Sequence, residues 1–214
     1  MSLTKDLKAR ADQSATKYPE TTHAIMNNGI QVLKDNQLVS KSLKTGDIIP
    51  EITLPNAANK NISVQELLLD KKVVLSFYRG GWCPYCNLEL KALQDALPEF
   101  EKLDTVLVAV SPETPDNSLS TSEKNNLSFE VLSDLNNTIA QKFNLAFTLP
   151  EDLIDVYNGF GIDLEKSNGN SDQQLPISAT YVIDQTGTII YDFIKEDYKE
   201  RADPEEIIKF LKNK

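Results

Sequence analysis

Six residues, Val73-Val74-Leu75-Ser76-Phe77-Tyr78, run into Arg79-Gly80-Gly81-Trp82-Cys83-Pro84-Tyr85-Cys86 and then into an amphipathic stretch. The first segment is β-branched and nearly all apolar, the pattern of a strand buried on both faces. Two glycines permit a tight turn after it. Leu88, Leu93, Leu97 and Phe100 then recur on one side of a helix from about Pro84 to Leu103. Thr105 to Val110 repeats the buried-strand pattern. A strand, a helix and a second buried strand require parallel pairing through a right-handed crossover.

The rest of the chain extends this unit. Ser118–Asn126 and Thr138–Phe143 read as helices, and Glu130–Ser133 as a short strand. Thr180–Ile183 and Thr188–Phe193 flank the turn Asp184-Gln185-Thr186-Gly187, which predicts a β-hairpin. Pro204 opens a closing helix. The hairpin adds antiparallel strands, so the expected sheet is mixed. Residues 144–176 are long for a connection, with a helix expected over Pro150–Tyr157 and a loop at Asn168–Asp172. Such an insertion suits a lid. Residues 1–43 read as a helical arm broken at Pro19, expected to pack on the core or on a second copy of the chain, so a homodimer is open. Residues 44–214 form the main domain.

Pro84 suits a first helical position, which places Cys83 at the N-cap and Cys86 in the first turn on the same side. Helix N-termini stabilise anions, and a thiolate there is the reactive form. Arg79, one of three arginines against 19 lysines, is expected to lower the reactive thiol's pKa. Two cysteines and one distant histidine do not make a closed zinc site, so neither metal nor cofactor is expected. A structural disulfide across three residues would constrain the chain little. Redox chemistry at Cys83 and Cys86 is the reading favoured by the residues. His23 and Trp82 read as packing residues, and the acidic run from Glu196 to Glu206 as a solvated face.

The net charge of −10 disfavours nucleic acid and anionic membrane surfaces as partners. No apolar run approaches the roughly 20 residues of a membrane span. The N-terminus lacks the apolar core of a secretory signal, so a cytoplasmic location is expected.

Gly46-Asp47-Ile48-Ile49-Pro50, Val73 to Tyr78, Cys86-Asn87-Leu88-Glu89-Leu90, Val108 to Ser111, Ser133-Asp134 and Thr180 to Asp184 together resemble the peroxiredoxins of the alkyl hydroperoxide reductase and thiol-specific antioxidant family. Phe77 to Cys86 is similar to a CxxC-containing subgroup, and Cys-Pro-Tyr-Cys also resembles the glutaredoxin site. The resemblance implies a thioredoxin-like three-layer α/β/α sandwich with a mixed sheet. It implies hydroperoxide reduction through a Cys83/Cys86 dithiol–disulfide cycle, with a thioredoxin- or glutathione-type donor. The peroxidatic position falls on Cys86. The family's active-site proline and threonine are replaced by Arg79 and Cys83, and its arginine, expected near Ser178, is absent, which implies slow peroxide reduction. The alternatives are a disulfide reductase with Cys83 as nucleophile and a non-enzymic redox sensor.

Overall fold

In a computed structural model, which describes residues 2–214, the N-terminal segment forms helices α1 (Leu3–Lys17) and α2 (Glu20–Asp35) and the single turn α3 (Leu38–Lys41). Pro19, extended between α1 and α2, separates them. A small antiparallel hairpin follows, β1 (Thr53–Pro55) and β2 (Asn61–Ser63), and leads into α4 (Val64–Leu68). Then come β3 (Lys72–Phe77), α5 (Pro84–Glu101), β4 (Thr105–Ser111), α6 (Pro115–Asn125), β5 (Glu130–Ser133) and α7 (Thr138–Lys142). The 144–176 segment contains β6 (Ala146–Thr148), α8 (Glu151–Gly159), α9 (Leu164–Asn168) and β7 (Gln174–Pro176). The chain closes with β8 (Ala179–Ile183), β9 (Ile189–Ile194) and α10 (Pro204–Lys212).

The main sheet has the order β5-β4-β3-β8-β9. β3 lies at its centre, parallel to β4 and antiparallel to β8. Period-two alternation splits its side chains between two cores. Val73, Leu75 and Phe77 face one way, with α4, Phe143 and Ala179, Tyr181 and Ile183 of β8. Val74 faces the other way, with Leu93 and Phe100 of α5 and Ile207 and Leu211 of α10. Helices thus cover both faces, giving the α/β/α sandwich with a mixed sheet that the sequence predicts.

Two features depart from expectation. The 144–176 segment contains the expected helix as α8, but also two strands and the short helix α9 that the sequence does not signal. β6 and β7 pair antiparallel, and Leu149, Leu153, Tyr157, Leu164 and Leu175 bury one another in a satellite core. The β1–β2 hairpin and α4 have no strong periodic signal, because three-residue strands are too short to carry one. α1 lies against the redox segment: Leu3 and Leu7 join the cluster that contains Tyr78, Cys83 and Cys86.

Leu75 is fully buried at the centre of β3, whereas Leu69, just after α4, is 77% exposed. Leu75→Ala is therefore expected to cost about 2–5 kcal/mol, and Leu69→Ala less than about 0.5 kcal/mol. Urea denaturation of the two variants checks both values.

Candidate active site

The loop from β3 to α5 is held from several sides. Gly80 has φ +151°, and a Cβ there would strike the Trp82 ring. The Gly81 N–H donates to Glu113 Oε2 at 2.9 Å, and a Cβ on Gly81 would lie 1.9 Å from Thr121 Oγ1. Asn87 Nδ2 donates to the carbonyls of Gly81 and Cys83 at 2.8 and 3.1 Å. Asn125 Nδ2 in turn donates to Asn87 Oδ1 at 2.9 Å. These bonds fix Cys83 as the extended N-cap of α5, with Pro84 at the helix start. Both cysteines are free thiols and wholly buried.

Each sulfur has its own arginine. Arg79 Nη2 donates to Cys83 Sγ at 3.1 Å, while its Nη1 donates to Tyr157 Oη at 2.6 Å. The Arg79 guanidinium also lies over Tyr198, 4.3 Å from the ring centroid. Arg201 Nη2 donates to Cys86 Sγ at 3.5 Å. Its Nε is 2.8 Å from Glu89 Oε2, close enough for strong attraction though off the hydrogen-bonding line. Thr180 Oγ1 donates to Glu89 Oε1 at 3.1 Å.

Burial alone would raise both thiol pKa values. For Cys83 that effect is outweighed by hydrogen bonding with the Cys86 thiol and by the charges of Arg79 and Arg201, which hold it well below the usual thiol range. For Cys86, burial, the bond with Cys83 and the charge on Cys83 all raise the pKa, and they prevail over the two arginines. The two sulfurs therefore share one negative charge, centred on Cys83. Burial also raises two nearby carboxyls to about 7: Glu89, against the pull of Arg201, and Glu113, against its Gly81 bond.

Of the residues singled out in the sequence, Cys83, Cys86 and Arg79 are brought together here. Trp82 packs on Tyr157, with ring centroids 5.5 Å apart. His23 packs edge-on to Tyr18. Ser178 is buried near Arg79, and no arginine stands there. The acidic run after β9 is not uniformly solvated, since Arg201 within it is buried on Cys86. Asp203 caps α10 and accepts hydrogen bonds from Ser2 and Thr4. Arg201 and Tyr157 were missed in the sequence. The scarcity of arginine was the signal that could have found the first.

The profile of the AhpC/TSA family matches residues 45–192, and the chain belongs to that family. A Buchnera aphidicola (subsp. Schizaphis graminum) protein named as a bcp peroxiredoxin is 34% identical over 104 residues, 49% of this chain and 65% of its own. Chloroplastic peroxiredoxin Q of Gentiana triflora is 27% identical over 177 residues, 82% of this chain and 70% of its own. The first of these matches thus spans about half of this chain and less than two thirds of the relative. Among solved structures, the peroxidoxin BcpB of Mycobacterium tuberculosis superposes with a TM-score of 0.63 at 21% identity, covering 80% of this chain and 97% of that one. That likeness shows the thioredoxin-type fold.

Two expectations follow from the clamp. Gly81→Ala should displace Thr121 or the loop, because the added methyl has no room. Loss of about 1–3 kcal/mol is expected in denaturation, with faster alkylation of the otherwise buried thiols. Glu113 binds its proton more tightly folded than unfolded, so its contribution to stability is complete below its ordinary value of 4.5 and lost as pH rises through about 7. Glu113→Gln should therefore show a smaller fall in stability than the parent between about pH 5 and pH 8, measured by urea titration at each pH.

Proposed function

We propose that this chain is a thiol-dependent hydroperoxide reductase in which Cys83 and Cys86 cycle between dithiol and disulfide. One observation carries the reading: two free, buried cysteines at the start of α5, with the Arg79 guanidinium donating to Cys83 Sγ at 3.1 Å. Membership of the AhpC/TSA family and the peroxiredoxin names of its relatives support it. A solved relative of the same fold, the bacterioferritin comigratory protein of Xanthomonas campestris, is described as having alkyl peroxide reduction activity.

Cys83 is proposed as the attacking sulfur, not Cys86, to which the family resemblance assigns the peroxidatic position. Its thiolate bonds the terminal oxygen of ROOH, the O–O bond breaks, and the alkoxide leaves as ROH after taking a proton. Arg79 and the α5 N-terminus face the charge that shifts from sulfur to oxygen. The Cys86 thiol then condenses with the Cys83 sulfenic acid, forming the disulfide and releasing water. A thiol donor of the thioredoxin or glutathione type supplies two electrons and restores the dithiol. In this scheme Arg79 and Arg201 stand in for the family's missing threonine and arginine.

The division into an arm, 1–43, and a domain, 44–214, belongs to the same proposal, with α1 serving as a cover over the dithiol. So does a cytoplasmic setting, which keeps the free thiols reduced. Among the described residues no helix is long and apolar enough to cross a membrane.

Single-cysteine variants test the order of events. Cys83→Ser is expected to abolish hydroperoxide consumption. Cys86→Ser is expected to consume about one equivalent, trap a sulfenic acid on Cys83 and stall. Mass spectrometry after one equivalent of peroxide reads both outcomes. A burst in Cys83→Ser with none in Cys86→Ser would assign the attack to Cys86 instead.

A further inference from the structure

Beside the dithiol lies a cleft of ≈ 270 Å³ whose walls combine two guanidiniums with aromatic rings. Arg10 and Ser14 of α1, Arg79 and Trp82 from the redox segment, and Phe160 and Ile162, just after α8, all line it. Helical spacing brings Arg10 there: Leu3 and Leu7 are buried against the redox segment, and Arg10, three residues on, shares that face.

The charge balance of this cleft is unusual for the protein. The chain carries 32 acidic residues and a net charge of −10. Yet among the described residues neither Arg10 nor Arg79 forms an ion pair with a carboxylate, whereas Arg201 does. The Arg79 charge is answered by Cys83. Among the described residues Arg10 has no hydrogen-bonding partner, and its Nε is buried. The Tyr85 hydroxyl, on the same cleft, is also buried and unpartnered. The nearby Asp197 is engaged by Lys199 at 3.4 Å. Unpaired buried donors around a concave site call for an acceptor from outside, and guanidinium forks suit a carboxylate.

Access argues for a small molecule. Cys83 and Cys86 are wholly buried, and the residues flanking Cys83 (Trp82, Pro84 and Tyr85) all line this cleft. A protein surface does not fit a space of that size, and a small thiol does. We propose that the cleft binds a low-molecular-weight thiol bearing a carboxylate, held at Arg10, as the reductant of the Cys83–Cys86 disulfide. This rests on the dithiol–disulfide cycle proposed above. The thiol's sulfur, as thiolate, attacks Cys83 Sγ, and the Cys83–Cys86 bond breaks. Cys86 leaves with the electron pair and takes a proton. A second thiol attacks the sulfur of the bound thiol, releasing Cys83 as thiolate and a small-molecule disulfide. Two thiols are oxidised and one protein disulfide is reduced.

The test starts from protein oxidised to the disulfide with diamide, so it does not depend on peroxide reduction. Trp82 is the chain's single tryptophan and lines the cleft, so its fluorescence follows reduction there. Two probes are compared per thiolate: 3-mercaptopropionate, which carries a carboxylate, and neutral 2-mercaptoethanol. The expected result is a preference of about tenfold or more for 3-mercaptopropionate. The net negative charge of the protein would by itself produce the opposite bias. Arg10→Met should abolish the preference and Arg10→Lys should retain part of it. Equal rates in the parent protein, a preference that survives Arg10→Met, or reduction by thioredoxin but by neither small thiol would overturn the proposal. A preference that holds while hydroperoxide consumption is absent would support the cleft and sink the peroxidase reading alone.

Discussion

A guanidinium buried without a carboxylate needs another anion, and the sulfur of Cys83 is what Arg79 meets at 3.1 Å. The rest of the site is arranged around that contact. Tyr157 holds the second arm of the guanidinium, and Tyr198 lies against its face. Cys86 contributes a proton rather than a charge, because one buried site does not accommodate two adjacent thiolates. Removing either partner of such a pair leaves an uncompensated buried charge, so the two residues depend on one another for stability as well as for reactivity.

The second arginine completes an asymmetric design. Arg201 is shared between Glu89, which Thr180 also holds, and Cys86. Arg79 has no such competitor. The two thiols differ, although they are three residues apart, chiefly because burial admits one charge and the bond between them favours it on Cys83, with the two arginines adding to that preference. The carboxyls of Glu89 and Glu113, both raised to about 7, place proton-carrying groups close to the dithiol near neutral pH.

How much of this was legible in the sequence depended on sequence distance. The β3–CxxC–α5 unit could be read because a buried strand, two glycines and a helix-starting proline act locally. The β8–β9 hairpin was legible for the same reason. Tyr157 was not, because it reaches Arg79 from a segment 78 residues away, through a satellite core whose periodicity is weak. Arg201 was hidden differently. It sits among acidic residues, a pattern that reads as a solvated face, and it approaches Cys86 across 115 residues. The family arginine expected near Ser178 is thus missing from its place, while a guanidinium reaches the same sulfur from beyond β9. The 144–176 segment, whose role the sequence leaves open, is packed structure that holds Arg79 through Tyr157.

The central claim is that Arg79 holds Cys83 as the thiolate of the pair. It is tested most directly by titrating the thiolate ultraviolet absorbance of the reduced protein against pH and comparing it with Arg79→Met, each in the Cys86→Ser background so that one sulfur is observed. The account predicts that the Cys83 pKa moves clearly upward in Arg79→Met relative to the same background with Arg79 in place. Superimposable titration curves would contradict it, since the charge on Cys83 would then owe nothing to the arginine beside it.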